Sequence, residues 1–345
     1  MIIHGIANET GGNKMKELKK IWRARKWMKS NEPFLYAWHA HVGYVHDLFD
    51  EFEEGTTVSA VAKKRDMNEL LLTRWADVGI AIDHLKIDKN GEIRSKKHMV
   101  ESISKNSDQS VGILLKEMME LHIPILLSYP DLLNSEDHAS YQDEDYGGTV
   151  AATSSFIERF AYPKIHKCIK KTNAKSVIDF GAGYAGYLSR IGAKFEDMKL
   201  VGIEKNKSVC LEAEENIHFP LKSSISLYPD DMMTWKWDGD LFDVAMMNNL
   251  LYYFAPEDRY RLFEKAHEVT GENGNLIVIT PLHESKHGLA FSAAFNSFMS
   301  AHDNLFPLPN HAEMVNLASE TGFKLKEMKP IVKEGAWYFM RFQKA

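Results

Sequence analysis

Cysteine is nearly absent: Cys168 and Cys210 are the only two in 345 residues. Two cysteines make no disulfide framework, so packed cores must hold the chain together. No stretch reaches the eighteen or so consecutive apolar residues of a membrane-spanning helix. The opening "MIIHGIANETGGNK" has neither the basic region nor the apolar run of a secretory leader, and a cytoplasmic location is the expectation. An excess of positive charge is missing too. With 42 Lys and Arg against 48 Asp and Glu, the net charge of −6 gives no global attraction to nucleic acid or an anionic membrane. Internal repeats and low-complexity tracts are also absent, which removes solenoids and long disordered linkers.

What is there supports two domains. Hydrophobic residues make up 44% of the chain, enough for real cores. Residues 14 to 125 read as almost wholly helical, whereas from about 175 short apolar strands alternate with helices. The expected domains are 1–120 and 121–345, with 121–165 an irregular connection bordering the site.

Within the first domain, "KMKELKKIWRARKWMK" carries eight basic residues against Glu17 and reads as a packing helix with a solvated basic face. "FLYAWHAHVGYVHDLFDEF", from Phe34 to Phe52, is too apolar for a surface and reads as one core or interface helix, with His39, His41 and His46 as packing residues. Residues 56–97 have a winged-helix rhythm: a capped helix from Thr57, a turn near Asp66, a longer helix to His84, and a hairpin at Asn90 and Gly91. A helix that reads base edges should present Arg, Lys, Asn or Gln. Here Arg74 stands alone among Glu69, Asp77 and Asp83, so packing and dimerisation are expected rather than nucleic-acid binding.

In the second domain, "SVIDFGAGYAGYLSRIG" sends an apolar strand through Gly181, Gly183 and Gly186 into a helix. Glycines there allow a sharp turn and close approach of a ligand to backbone N–H groups. Twenty-three residues after Gly181 a second strand ends in Glu204, whose carboxylate can accept two ribose hydroxyls. A third strand ends at Asp230 and Asp231, a fourth at Asn248 and Asn249, and a fifth at Pro281. Two more, "KLKEMKPI" and "AWYFMRFQ", suggest an antiparallel edge pair. The fold class is α/β, a doubly wound seven-stranded Rossmann-like sheet. The glycine turn and distant acid would serve NAD equally, but the acid ending the third strand and the seven-strand order disfavour it.

The motifs "VIDFGAGYAGY", "LVGIE", "YPDDMM", "FDVAMMNNLLYYF" and "NGNLIVITP", taken together, resemble the class I S-adenosylmethionine-dependent methyltransferases, in their two-domain O-methyltransferase-like form with a winged-helix dimerisation domain. The resemblance covers most of residues 34–345. It implies S-adenosylmethionine as cofactor, with Asp179, Gly181 and Gly183 at its methionine part, Glu204 at the ribose, Asp231 at the adenine amino group, Met232 against the ring, and Asn248 nearby. It also implies a homodimer acting on a small-molecule acceptor, bordered by Tyr146, Asn249 and Tyr253. The pattern departs at Ala185, where the family's third glycine is expected and a methyl would border the cofactor's carboxylate; Gly186 follows one place later.

Phenol-methylating members of the family carry a general-base His after strand four. Here the segment is Tyr252, Tyr253, Phe254, and a phenol with an ordinary pKa near 10 is a poor base at neutral pH. Tyr252 is therefore one candidate at the acceptor, and His283 and His287 of "HESKH", after strand five, are replacement candidates. That pentapeptide also matches H-E-x-x-H, in which two histidines one helical turn apart bind zinc. Pro281 places it at a helix start or in a loop, and neither Glu313 nor Glu320 is marked as a further ligand, so no metal is expected. The remaining alternative is a DNA-binding or scaffold protein on a methyltransferase fold.

Overall fold

The computed structural model describes residues 6–141, 143–217, 221 and 223–345. The chain divides into two compact units, Met1–Glu120 and Leu121–Ala345. No helix among the described residues is long and apolar enough to cross a membrane.

The first unit opens with the helices Ile6–Ser30 and Glu32–Val45. The single helix expected over 34–52 is broken, because Asp47 takes a left-handed conformation (φ 55°) and a short helix, Leu48–Glu51, restarts after it. The next two helices begin where their caps dictate. Thr57 accepts the Ala60 N–H (3.2 Å) at the start of Val58–Arg65, and Asn68 accepts the Leu71 N–H (3.1 Å) at the start of Glu69–Ala81. A hairpin of β1 (Leu85–Ile87) and β2 (Ile93–Ser95) follows. Phe49, Phe52, Trp75 and Leu85 fill the core, and the buried His39 ring stacks on Trp75 at 4.2 Å.

The second unit is built on β3 (Ser176–Phe180), β4 (Lys199–Ile203), β5 (Ile225–Tyr228), β6 (Phe242–Asn248), β7 (Thr270–Pro281), β8 (Phe323–Val332) and β9 (Trp337–Lys344). Their order across the sheet is β5-β4-β3-β6-β7-β9-β8. The first five are parallel; β9 slots between β7 and β8, antiparallel to both. A sheet covered on both faces needs strands that are apolar on both, and every residue of β3 is buried. Ile178 and Phe180 pack in one cluster with Phe263 and Leu317 of the helices Arg259–Val269 and His311–Glu320. Val177 packs in the other with Ile165 and Ile169 of the long helix Asp143–Thr172. Strand alternation thus puts Asp179 on the face that the long helix covers.

From β3 the sheet grows outward through β4 and β5 on one side and then through β6 and β7 on the other, so the strand order reverses between β3 and β6. A crevice outside the carboxyl ends of the strands is the expected ligand position at such a switch point.

Candidate active site

A cleft of about 520 Å³ lies at that switch point, lined by the turn after β3, the ends of β4 and β6, the segment after β5, and one face of the long helix. Gly181 and Gly183 both have positive φ (68° and 52°). A β-carbon on Gly181 would stand 2.8 Å from Leu250, while one on Gly183 would meet nothing within 4 Å. Backbone conformation therefore favours glycine at both positions, and at 181 a side chain would also have to displace the end of Leu250.

Ala185 behaves differently from its sequence-based reading, in which its methyl bordered the ligand. It is left-handed (φ 56°) and fully buried in the cluster of Leu188 and Ile191, outside the cleft lining. Gly186, one place later, does line it. A β-carbon there would collide with the Glu158 carboxylate, reaching in from the long helix.

Glu204, directly after β4, and Asp231, three residues beyond the end of β5, supply carboxylates to the cleft. Glu204 Oε2 accepts the Gly183 N–H (2.9 Å) and Oε1 accepts the Asn206 N–H (2.8 Å). A carboxylate has about four acceptor positions, so two remain for a ligand. Asp231 accepts the Met233 N–H (2.9 Å) and pairs with Lys205 (2.9 Å). Burial pushes its pKa up, but that hydrogen bond and the ammonium more than offset it, and the carboxyl titrates below its ordinary value. Met232 lies beside it, buried and lining the cleft.

Two further acidic side chains, Asp179 and Glu158, line the same cleft. Asp179 is almost wholly buried and accepts a hydrogen bond from Asn248 Nδ2 (3.0 Å). Burial raises its pKa well above the ordinary value, and the Glu158 charge adds to the effect. Glu158 is raised too, by burial, with Arg190 at 3.4 Å opposing. Asn248 Oδ1 and the Tyr187 hydroxyl, both buried at residues lining the cleft, have no hydrogen-bond partner among the described residues. Sequence reasoning missed Glu158 and Tyr187; the one signal available was the glycine displaced from 185 to 186.

Residues 177–274 match the methyltransferase domain family. That segment is a methyltransferase domain. The fold is similar over nearly the whole chain to solved structures. An O-methyltransferase family protein from Burkholderia thailandensis is 17% identical (TM-score 0.74), with 93% of this chain and 98% of that one covered. Human N-acetylserotonin methyltransferase, solved with SAM, is 14% identical (TM-score 0.72; 94% and 98% covered). The mitomycin 7-O-methyltransferase MmcR is 16% identical (TM-score 0.73; 94% and 100% covered). No curated protein matches the sequence.

At the far end of the cleft in the methyltransferase domain, Asn249 adopts φ 52°, and its Oδ1 accepts the Trp337 Nε1–H (2.9 Å). Tyr252 and Tyr253 follow in a short 3₁₀ turn, their ring centres 5.0 Å apart, and both line the cleft together with Phe254. Tyr252 also belongs to an aromatic cluster with Tyr141, Phe295 and Phe298. Tyr146 packs on that cluster, its ring 6.3 Å from Tyr141, and is not part of the cleft lining.

His283 and His287 do not line the cleft either. They sit in the loop between β7 and the helix Leu289–Ser300, where His283 N–H bonds Pro309 O and His283 Nε2 lies 3.8 Å from Glu284. Because the pentapeptide is not helical, its histidines do not share the helix face that a zinc pair needs. Glu313 is committed to Arg259 (2.7 Å), and among the described residues no group of three or more His, Cys, Asp or Glu is arranged for a metal. Trp235, in the segment after β5, lies in the core cluster with Ile178 and Phe180.

Proposed function

We propose that the chain transfers a methyl group from S-adenosylmethionine to a small-molecule acceptor without a histidine general base. The observation that carries this reading is the acidity of the cleft lining, to which Asp179, Glu158, Glu204 and Asp231 all contribute. A dinucleotide would bring its pyrophosphate to the glycine turn and meet two buried carboxylates. An adenosyl sulfonium bearing an amino acid presents hydroxyls, an adenine amino group and an ammonium there instead. The orphaned Asn248 Oδ1 and Tyr187 hydroxyl fit such a ligand, since both are buried polar atoms awaiting partners.

The bound sulfonium supplies an electrophilic methyl group. What the protein contributes is alignment for in-line displacement and exclusion of water. Glu204 would hold the ribose, Asp231 the adenine amino group, and Met232 the ring face. Tyr252, Tyr253 and Phe254 line the end where the acceptor would stand, and no histidine is among the cleft-lining residues. This supports an acceptor whose nucleophile needs little deprotonation, such as a thioether, a neutral amine or an acidified carbon. The large apolar side chains Leu18, Trp22, Trp27 and Met28 are exposed on the first helix, and they support a homodimer formed through the first unit. Sedimentation at micromolar concentration should then give twice the monomer mass.

Isothermal titration with S-adenosylmethionine, S-adenosylhomocysteine and NAD in parallel tests the reading. Binding of the adenosyl ligands alone is expected, and would justify screening acceptors with labelled methyl. Binding of NAD alone overturns it; binding of none by folded protein favours a scaffold.

A further inference from the structure

Gly186 has no side chain, and the space it leaves is filled by the Glu158 carboxylate. Glu158 belongs to the long helix rather than to any strand end, yet it reaches the cleft lining beside Asp179, Asn248 and Tyr187. Its compensation is thin. Arg190 approaches Oε2 only to 3.4 Å and is itself 39% exposed, while the Glu158 side chain is 12% exposed. Asp179 is worse placed, since the charges bearing on it are the carboxylates of Glu158 and Glu204.

A buried carboxylate without a cation, as Asp179 is, is costly, and a buried acceptor such as Asn248 Oδ1 with no donor among the described residues adds to that cost. The groups on this wall with acceptor capacity to spare are two carboxylates, each holding one bond, and an amide oxygen holding none among the described residues. The hydroxyl of Tyr187 can serve either way. A primary ammonium answers them, because it brings one positive charge and three N–H donors. An anion, or a neutral group with a single donor, would leave most of the deficit in place.

We propose that Glu158 is a specificity-determining residue which, together with Asp179 and Asn248, grips the ammonium of an adenosyl amino-acid ligand. This rests on the S-adenosylmethionine reading above. It adds that discrimination between the amino-acid ligand and its truncated adenosyl relatives is set from the long helix through Glu158. Gly186 is the position that makes room for it.

The test compares two probes by isothermal titration: S-adenosylhomocysteine, and 5′-methylthioadenosine, which keeps the adenosine and the thioether but has no ammonium. In the unaltered protein S-adenosylhomocysteine should bind the tighter. Glu158→Gln should weaken S-adenosylhomocysteine roughly ten- to a hundredfold, the range of one charge-assisted hydrogen bond, and leave 5′-methylthioadenosine unchanged. Gly186→Ala, which keeps the carboxylate but displaces it, should shift selectivity in the same direction and provides a second variant if the first folds poorly. Glu158→Asp should recover part of the loss. Equal losses for both probes would show a merely structural role and overturn the assignment, as would unchanged affinity for both. If the unaltered protein bound neither probe, the adenosyl reading itself would fall, and this inference with it.

Discussion

Glu204 Oε2 accepts the backbone N–H of Gly183 at 2.9 Å, so the carboxylate that ends β4 is bonded to the turn that follows β3. Its other oxygen takes the Asn206 N–H at 2.8 Å, and the remaining acceptor positions line the cleft. One side chain thereby shapes the glycine turn and offers itself to a ribose.

Glu204→Ala removes both backbone bonds and the ribose acceptors together. Glu204→Gln keeps one acceptor oxygen but turns an amide NH₂ toward a backbone N–H. Affinity for S-adenosylhomocysteine should fall about tenfold or more in the Gln variant and further in the Ala variant, while unfolding stability changes by only ~1–2 kcal/mol. Calorimetry together with a melting curve separates the two effects. Unchanged affinity in Glu204→Ala would remove this residue from the ligand site.

Tyr252 lines the cleft in the turn that follows β6. If the acceptor needs little deprotonation, Tyr252→Phe should cost kcat less than about tenfold, below the ~10²–10⁴ that a general acid or base contributes. The pH dependence of kcat/KM should keep its shape in the variant. A thousandfold loss with a vanished pH limb would make the tyrosine the proton acceptor.

Much of this architecture is legible in the sequence, because strand ends are marked by residue type. Asp179, Glu204, Asp231 and Asn248 each follow an apolar run, and all four line the cleft. Glu158 is invisible in that way. It lies within a helix, in "SSFIERF", and only the three-dimensional approach of the long helix to Gly186 gives it a place in the cleft. The opposite error arises at Ala185, since spacing counts residues but does not tell which way a methyl points. His283 and His287 fit a chemical pattern that depends on helical geometry, and Pro281 with the loop after β7 denies it to them. The break at Asp47 was equally hidden, for nothing in an apolar run announces a left-handed residue.

His39 and His84 form a buried pair in the first unit, with Nδ1 atoms 3.0 Å apart and His39 Nε2 without a partner. Burial lowers His39 from 6.5 to about 3, and His84 adds to the effect; burial lowers His84 from 6.5 to about 4, with His98 adding. Both folded values lie below the unfolded one, so above pH 6.5 neither state gains a proton and stability is flat. Below that the unfolded chain binds protons that the folded chain refuses, and stability is lost at up to ~1.4 kcal/mol per pH unit for each histidine. Thermal unfolding from pH 8 to pH 4 should show this acid-sensitive loss. His39→Phe with His84→Phe should flatten the profile, and an unchanged acid limb in that double variant would assign the sensitivity elsewhere.

Arg259 is a cation buried at 1% exposure, and it ties three segments together. Its Nε donates to Leu251 O at 3.0 Å, one terminal nitrogen pairs with Glu313 at 2.7 Å, and the other donates to Pro307 O. Replacing it with Met fills part of the volume but strands two carbonyls and a carboxylate. Breaking such a buried pair from one side costs about 3–5 kcal/mol. A urea titration should record that loss, whereas Glu313→Gln, which keeps an acceptor for the guanidinium, should cost less. Because Leu251 begins the turn that carries Tyr252 and Tyr253, any Arg259→Met protein that remains folded should show a raised KM for the acceptor with little change in S-adenosylhomocysteine affinity. Equal losses at both ligands would mean that the arginine supports the whole sheet rather than the acceptor end.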